Sequence, residues 1–228
     1  MTNAIITGAS RGLGLALARA LAAQGWHLTI DARSAADLER AARELGRLTE
    51  VVALAGDVAD AAHRRALVEA AGAPLHLLVN NAGILGPSPQ PPLADYPIDV
   101  LADVYRINVL APLALTQLAL PRLAPAATIV TISSDAAVEA YPGWGGYGSA
   151  KAALDHIRAT LAAEHPGLRV YAVDPGDMRT RLHQEAFPGE DISDRPLPEA
   201  SVPGLLRLLS EGPASGRYRV PQSAAVPA

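Results

Sequence analysis

The chain has 228 residues, half of them apolar but only 4% aromatic, carries a formal charge of −4 and contains no cysteine. That length fits one α/β domain with a core built from Ala, Leu, Val and Ile. The mild negative charge argues against a general nucleic-acid binder, which shows a basic face, and the missing cysteines exclude a disulfide framework or a thiolate metal site.

In chain order, a short apolar run over Asn3–Thr7 predicts a first strand, followed by a glycine turn and an Ala/Leu-rich helix from Arg11 to Gln24. Trp26–Ile30 reads as the second strand and Ala35–Leu45 as the second helix. The apolar runs Val51–Ala55, Leu75–Val79, Thr128–Ile132 and Leu168–Val173 continue the series, with "RYRV" at 217–220 as a last strand. Such unbroken β-branched runs are expected of strands buried on both faces. A long helix is predicted over Leu101–Leu120, another from Tyr147, and a short one over Ser201–Ser210. Strand–helix alternation predicts a doubly wound parallel sheet of about seven strands with helices on both faces.

Two segments read as irregular: the proline-rich Gly86–Pro97, and the polar His183–Pro198, which holds the single Phe at 187. A loop as long as the second is expected to be a substrate lid. No apolar run reaches the ~18–20 residues of a membrane span, and the N-terminus enters a strand pattern with no charged leader region. A cytoplasmic protein of one domain, 1–228, with a lid over 183–198 is therefore expected.

"TGASRGLG" places Gly8, Gly12 and Gly14 between a strand and a helix. That context fits a dinucleotide site, with backbone close to a pyrophosphate and a helix N-terminus aimed at it. The second strand runs into "TIDARS", so Asp31 and Arg33 compete as readers of the adenosine ribose, with Arg11 a second cation nearby. A carboxylate suits ribose hydroxyls and a guanidinium suits a 2′-phosphate. Alternatively, Asp31 and Arg33 simply pair with each other at the surface.

"YGSAK" holds the single lysine of the chain, four residues after Tyr147. On a helix that spacing stacks Tyr147 and Lys151 one turn apart on one face. A phenol titrates near ~10. To act near neutrality it must move down by about three units, so a cation has to outweigh the burial that pushes it up. Six tyrosines and one lysine in 228 residues give about 0.03 such pairs by chance, which argues against coincidence, although the pair by itself identifies no substrate. The six histidines show no H-x-x-x-H or H-E-x-x-H spacing, so no metal is expected. Ser134 lacks the G-x-S-x-G elbow of a hydrolase.

Together these motifs, in this order from Asn3 to Thr180, resemble the short-chain dehydrogenase/reductase family in its single-domain branch. The resemblance implies a Rossmann-type fold and reversible hydride transfer between a nicotinamide and a carbonyl or alcohol. The glycine loop implies cofactor contacts from Gly8, Ser10, Arg11, Gly12, Leu13 and Gly14. "GDV" implies Asp57 and Val58 at the adenine, and "NNAG" implies Asn81, Ala82 and Gly83 along the cofactor, with Asn80 structural. "DPGDMRT" implies Pro175, Gly176, Met178 and Thr180 on the nicotinamide side. Arg33 matches the family's NADP-reading arginine while Asp31 falls one residue early, which favours NADP(H), with NAD(H) the alternative.

The resemblance also implies a catalytic set of Asn108, Ser134, Tyr147 and Lys151. Tyr147 exchanges the proton. Lys151 lowers the phenol and holds the nicotinamide ribose. Ser134 binds the substrate oxygen, and Asn108 kinks its helix and anchors a water. Trp144 is read as a pocket wall or as plain packing. A homodimer or homotetramer follows from the same resemblance, packed through the helices of Asn108 and Tyr147. The rival reading is an NADP-binding regulator without turnover, which would be marked by loss of the catalytic set. The natural substrate is not readable, because the likeness thins after Thr180.

Overall fold

A computed structural model describes residues 2–222. Seven parallel strands, β1 (Asn3–Ile6), β2 (His27–Ala32), β3 (Val51–Ala55), β4 (Leu75–Asn80), β5 (Leu123–Ile132), β6 (Arg169–Asp174) and β7 (Gly216–Arg219), form one sheet. Their order is β3-β2-β1-β4-β5-β6-β7. The helices are α1 (Gly12–Ala23), α2 (Ala35–Leu45), α3 (Ala61–Ala70), α4 (Ile98–Tyr105), α5 (Ala111–Ala119), α6 (Gly145–Glu164), α7 (Arg181–Ala186) and α8 (Val202–Glu211).

The period-two geometry of the strands divides the core into two layers. Ala4, Ile6, Leu77, Val79, Val130 and Val173 pack with Leu17 and Leu21 of α1, Leu38 of α2 and Leu205 of α8. The alternate positions Ile5, Leu78, Ile129 and Val170 pack with Leu67 of α3 and Leu115 of α5. Both faces of the central strands are thus apolar and covered, as their unbroken runs require. β3, expected to be buried in the same way, is instead an edge strand with Val52, Ala53 and Ala55 exposed, because only β2 flanks it. Tyr171 is fully buried, and its hydroxyl donates to the Pro213 carbonyl at 2.7 Å, so the one polar atom it takes inside has a partner.

The expected single helix over Leu101–Leu120 is broken. A π-helical turn, Arg106–Leu110, separates α4 from α5. Pro112 has no N–H to return to the carbonyl of Asn108, and its ring crowds that carbonyl. The widened turn puts Asn108 inside the protein, where its Oδ1 accepts from Ile84 N at 2.9 Å and its Nδ2 donates to Ile84 O at 2.8 Å. Those two bonds tie the helix to the chain leaving β4.

Most other boundaries move by a residue or two, and three of the differences bear on the site or the sheet. β2 continues through Asp31 to Ala32, because Asp31 and Ala32 still pair with Leu54 and Ala55. β5 begins at Leu123, with a kink at Ala126 (φ +57°) before the run that was expected. The segment 183–198 starts as helix, because Thr180 Oγ1 accepts the His183 N–H and caps α7.

Gly14 lets α1 approach the sheet: a Cβ there would lie 2.5 Å from Gly8 O and 2.6 Å from Asn81 Nδ2. Gly14→Ala is expected to cost about 1–3 kcal/mol by overpacking. Gly167→Ala, where an added Cβ meets nothing within 4 Å, should be neutral or stabilising by about 0.4–1 kcal/mol. Urea denaturation of the two variants measures the difference.

Candidate active site

The strand order reverses between β1 and β4, and a crevice opens there at the carboxyl ends of the strands. The cleft has a volume of about 530 Å³ and runs from the glycine loop to Tyr147.

The loop after β1 is laced to its neighbours. Thr7 Oγ1 donates to Val79 O at 3.2 Å and accepts from Asn81 N at 2.9 Å and Ala82 N at 3.0 Å. Asn81 Nδ2 donates to Thr7 O at 2.8 Å and Gly8 O at 3.2 Å. Gly8 and Gly12 take positive φ of 67° and 57°, which side-chain-bearing residues avoid. No side chain caps α1, so the N–H groups of its first turn have no capping partner among the described residues. Asn80 points away from the cleft, bonding Thr116 Oγ1 at 3.3 Å.

Asp31 is not a surface partner of Arg33. Its carboxylate is buried, with Oδ1 accepting the Gly8 N–H at 2.7 Å and Oδ2 3.0 Å from His63 Nε2. Gly56 makes room for that imidazole, since a Cβ there would fall 2.3 Å from the ring. The surface-pairing alternative fails because β2 runs one turn of the pleat longer than expected and carries Asp31 inside. Among the described residues, the guanidinium groups of Arg11 and Arg33 have neither ion pair nor hydrogen bond, and both line the cleft. Asp57 Oδ1 accepts from Ala59 N at 2.8 Å, fixing the turn after β3 at the same end.

At the other end Tyr147 and Lys151 lie on one face of α6, the Nζ 5.4 Å from the centroid of the phenol ring. Lys151 is buried and donates to the Ile132 carbonyl at 2.7 Å. Burial lowers its ammonium from the ordinary 10.5 to about 8, against a raising influence from Asp155. Tyr147 differs from the sequence expectation in sign. Burial, then the charges of Asp135 and Asp174, push its phenol up, and the Lys151 ammonium does not reverse this. The phenol is therefore held protonated at neutral pH.

Ser134 sits opposite, its hydroxyl donating to Asp135 Oδ1 at 2.9 Å and accepting from Ala136 N at 3.2 Å. A Cβ on Gly83 would stand 3.1 Å from Asn108 Oδ1 and 3.9 Å from Lys151 Nζ, so the glycine leaves room beside both groups.

Of the expected site residues, Gly8, Ser10, Arg11, Gly12, Leu13, Arg33, Asp57, Val58, Asn81, Ala82, Gly83, Ser134, Tyr147, Lys151, Pro175, Gly176, Met178 and Thr180 line the one cleft. Gly14 and Asn108 do not. They stand behind it, Gly14 as the contact between α1 and the loop and Asn108 as the clamp on Ile84. Leu182 and His183 of α7 also line the cleft; His183 opens the expected lid, whereas Leu182 lies one residue ahead of it. Trp144 both lines it and packs, meeting Tyr147 edge-on at 5.9 Å and Phe187 at 6.0 Å. No spacing rule marks Leu182 or His183; only the Thr180 cap, which turns the chain back over the site, brings them in.

The short chain dehydrogenase family model matches residues 2–191. The chain belongs to this family. It is 34% identical to protein FixR of Bradyrhizobium diazoefficiens over 216 residues, 87% of this chain and 75% of that one. It is 37% identical to sepiapterin reductase of Meriones unguiculatus over 202 residues, 80% and 76% of the two chains. An alcohol dehydrogenase from the archaeon Thermococcus sibiricus, solved with 5-hydroxy-NADP, is similar at a TM-score of 0.86 and 28% identity, over 100% of this chain and 99% of that one.

The buried ammonium gives a pH test. In the unfolded chain Lys151 titrates at its ordinary 10.5 and in the folded protein at about 8. Below pH 8 the fold carries the cost of the buried charge. Between pH 8 and 10.5 the unfolded state binds more protons, so stability rises with pH. Relative to Lys151→Met, the native chain should gain up to about 3 kcal/mol across that window, read from urea midpoints at successive pH values.

Proposed function

We propose that the protein is an NADP(H)-dependent carbonyl reductase of the short-chain dehydrogenase family, interconverting a carbonyl and an alcohol. The observation that carries this is a single cleft with a phosphate-accepting glycine loop and two unpaired arginines at one end and a protonated, buried Tyr147 beside Lys151 at the other.

The residues fit a dinucleotide. The open first turn of α1 and the loop Gly8–Gly14 suit the pyrophosphate, and Asp57 and Val58 the adenine. Asn81, Ala82 and Gly83 border the middle, and Pro175, Gly176, Met178 and Thr180 the nicotinamide end. Arg33 and Arg11 suit a 2′-phosphate, and Asp31, engaged with Gly8 and His63, does not compete for ribose hydroxyls. The relative with 5-hydroxy-NADP supports the same choice.

Bound NADP(H) supplies or accepts the hydride. Tyr147, protonated at rest, donates its proton to the oxygen of the carbonyl being reduced. Ser134 turns its hydroxyl from Asp135 to that oxygen and stabilises the developing charge. Lys151 keeps a positive charge beside the phenol, which stabilises the phenolate left when the proton is given up, and is within reach of ribose hydroxyls. Asn108 holds the segment at Ile84 and Gly83 in place and supports a water next to Lys151. Leu85, Ala136, Trp144, Leu182 and Ala186 pack around Tyr147 and give the substrate side an apolar wall.

In the same reading, 1–228 is one nucleotide-binding domain, with residues 1 and 223–228 outside the described structure. The segment 183–198 is its substrate lid, supported by His183, Leu197 and Pro198 on the cleft and by Ser88 Oγ donating to Glu185 O at 2.6 Å. Among the described residues no helix is long and apolar enough to cross a membrane. A cytoplasmic location and a homodimer or homotetramer packed through the helices of Asn108 and Tyr147 belong to the same reading; the exposed Ile98, Leu110 and Leu118 on the Asn108 side support the packing.

The test follows reduced-nicotinamide absorbance with a panel of aldehydes, ketones, diketones and quinones. NADPH oxidation by at least one of them is expected, and none from any carbonyl while NADPH still binds would overturn the reading. Tyr147→Phe should lower kcat by about 10²–10⁴ with NADPH affinity retained. Arg33→Ala should reduce the NADPH-over-NADH preference about 10–100-fold, the worth of a hydrogen bond to a charged group.

A further inference from the structure

We propose that Arg217, on the last strand, is a positioning residue of the active site: its guanidinium holds the Ser134 backbone and neutralises Asp155 and Asp174. The inference rests on the assignment of Ser134, Tyr147 and Lys151 to the reaction.

The geometry is specific. Arg217 Nη2 donates to the Ser134 carbonyl at 2.8 Å and lies 3.5 Å from Asp174 Oδ2, while Nε donates to Asp155 Oδ2 at 3.0 Å. One planar fork thus joins β7 to three elements that bear on the chemistry: the segment after β5, the turn of α6 beyond Lys151, and the end of β6. A lysine in its place has one centre and could not span the three. Asp174 also accepts the Gly176 N–H at Oδ1, 3.0 Å, so the same residue shapes the cofactor-side turn.

Asp155 and Asp174 are largely buried, and Asp155 Oδ1 has no hydrogen-bond partner. Buried carboxylates need a counter-charge, and Arg217 contacts both. The groups that act on the reacting side chains are few. Tyr147 feels Lys151 from its own helix, Asp135 from the segment after β5 and Asp174 from β6; Lys151 feels Asp155, one turn on. Removing Arg217 leaves Asp155 and Asp174 uncompensated, so both the phenol and the ammonium hold their protons to higher pH. It also frees the carbonyl that sets the angle of Ser134.

The experiment compares NADPH-dependent carbonyl reduction by the native chain, Arg217→Met, Arg217→Lys and the double variant Arg217→Met/Asp155→Asn, across pH 6–10 at saturating cofactor. Arg217→Met should lose about tenfold or more in kcat, with NADPH affinity little changed and the alkaline limb of kcat displaced upward. Arg217→Lys, which keeps the charge and loses the fork, should show the kcat loss with the limb near its native place. The double variant, free of the uncompensated carboxylate on α6, should be more stable than Arg217→Met and return the limb toward the native position. A lowered melting temperature with native kcat and an unmoved limb in Arg217→Met, or in the double variant and Arg217→Lys if Arg217→Met fails to fold, overturns the inference and leaves a purely structural ion pair. Absence of turnover by the native chain with every carbonyl overturns the functional reading itself, and this inference with it.

Discussion

The structure depends on how closely the first helix can come to the sheet where the strand order reverses. At Gly14 the contact leaves no room for a methyl group, and the atoms it would strike are Gly8 O and Asn81 Nδ2. That proximity lets Thr7, Gly8 and Asn81 bond one another across β1 and β4, and it seats the open turn of α1 over the crevice. Asp31 completes the arrangement from β2 by taking the Gly8 N–H, and His63 closes the polar stack under Gly56. The end of β2, the β3–α3 segment and the end of β4 thus converge on one loop of backbone. The phosphate end of the cleft is built before any ligand arrives, which limits the ordering cost of binding.

The catalytic end obeys a different constraint, the low dielectric around Tyr147 and Lys151. Burial penalises both charged forms, raising the phenol and lowering the ammonium, so the pair rests as neutral phenol and marginal cation. This explains why the chain retains a single lysine among its arginines. The Lys151 position is nearly closed to solvent and offers one carbonyl, that of Ile132, at 2.7 Å. A compact ammonium fits there, keeps two further donors, and can respond to its surroundings by shifting its pKa; a guanidinium is larger and stays charged. The nearby carboxylates Asp135, Asp155 and Asp174 set the local field, each held by a specific partner: Ser134 and Ala136 for the first, Arg217 for the other two.

Aromatic side chains are scarce in this protein, yet Trp144, Tyr147 and Phe187 form a contact chain that ends on His183. Elsewhere the core is filled by small aliphatics between the strands and helices. Rigid, large side chains are therefore concentrated around the phenol, and α7 adds two residues to that apolar wall, Leu182 and Ala186.

The amino-acid sequence by itself determined the features that are local or periodic. Unbroken apolar runs specify strands covered on both faces. Glycines between a strand and a helix specify the nucleotide turn, and a tyrosine and a lysine four apart on a helix must share a face. What only the tertiary structure decided depends on partners tens of residues away. Asp31 and Arg33, at and just past the end of β2, were separated in the sequence only by the family resemblance; the physical reason that Asp31 is engaged lies in Gly8 and His63, 23 and 32 positions distant. The break at Asn108 follows from Pro112, a local cause, but its purpose appears only with Ile84 as the partner. The sign of the Tyr147 shift is the clearest case: spacing places a cation beside the phenol, whereas the outcome is a balance between that cation, burial and the carboxylates of two other segments. Burial is a property of the whole fold, so no stretch of sequence around Tyr147 contains it.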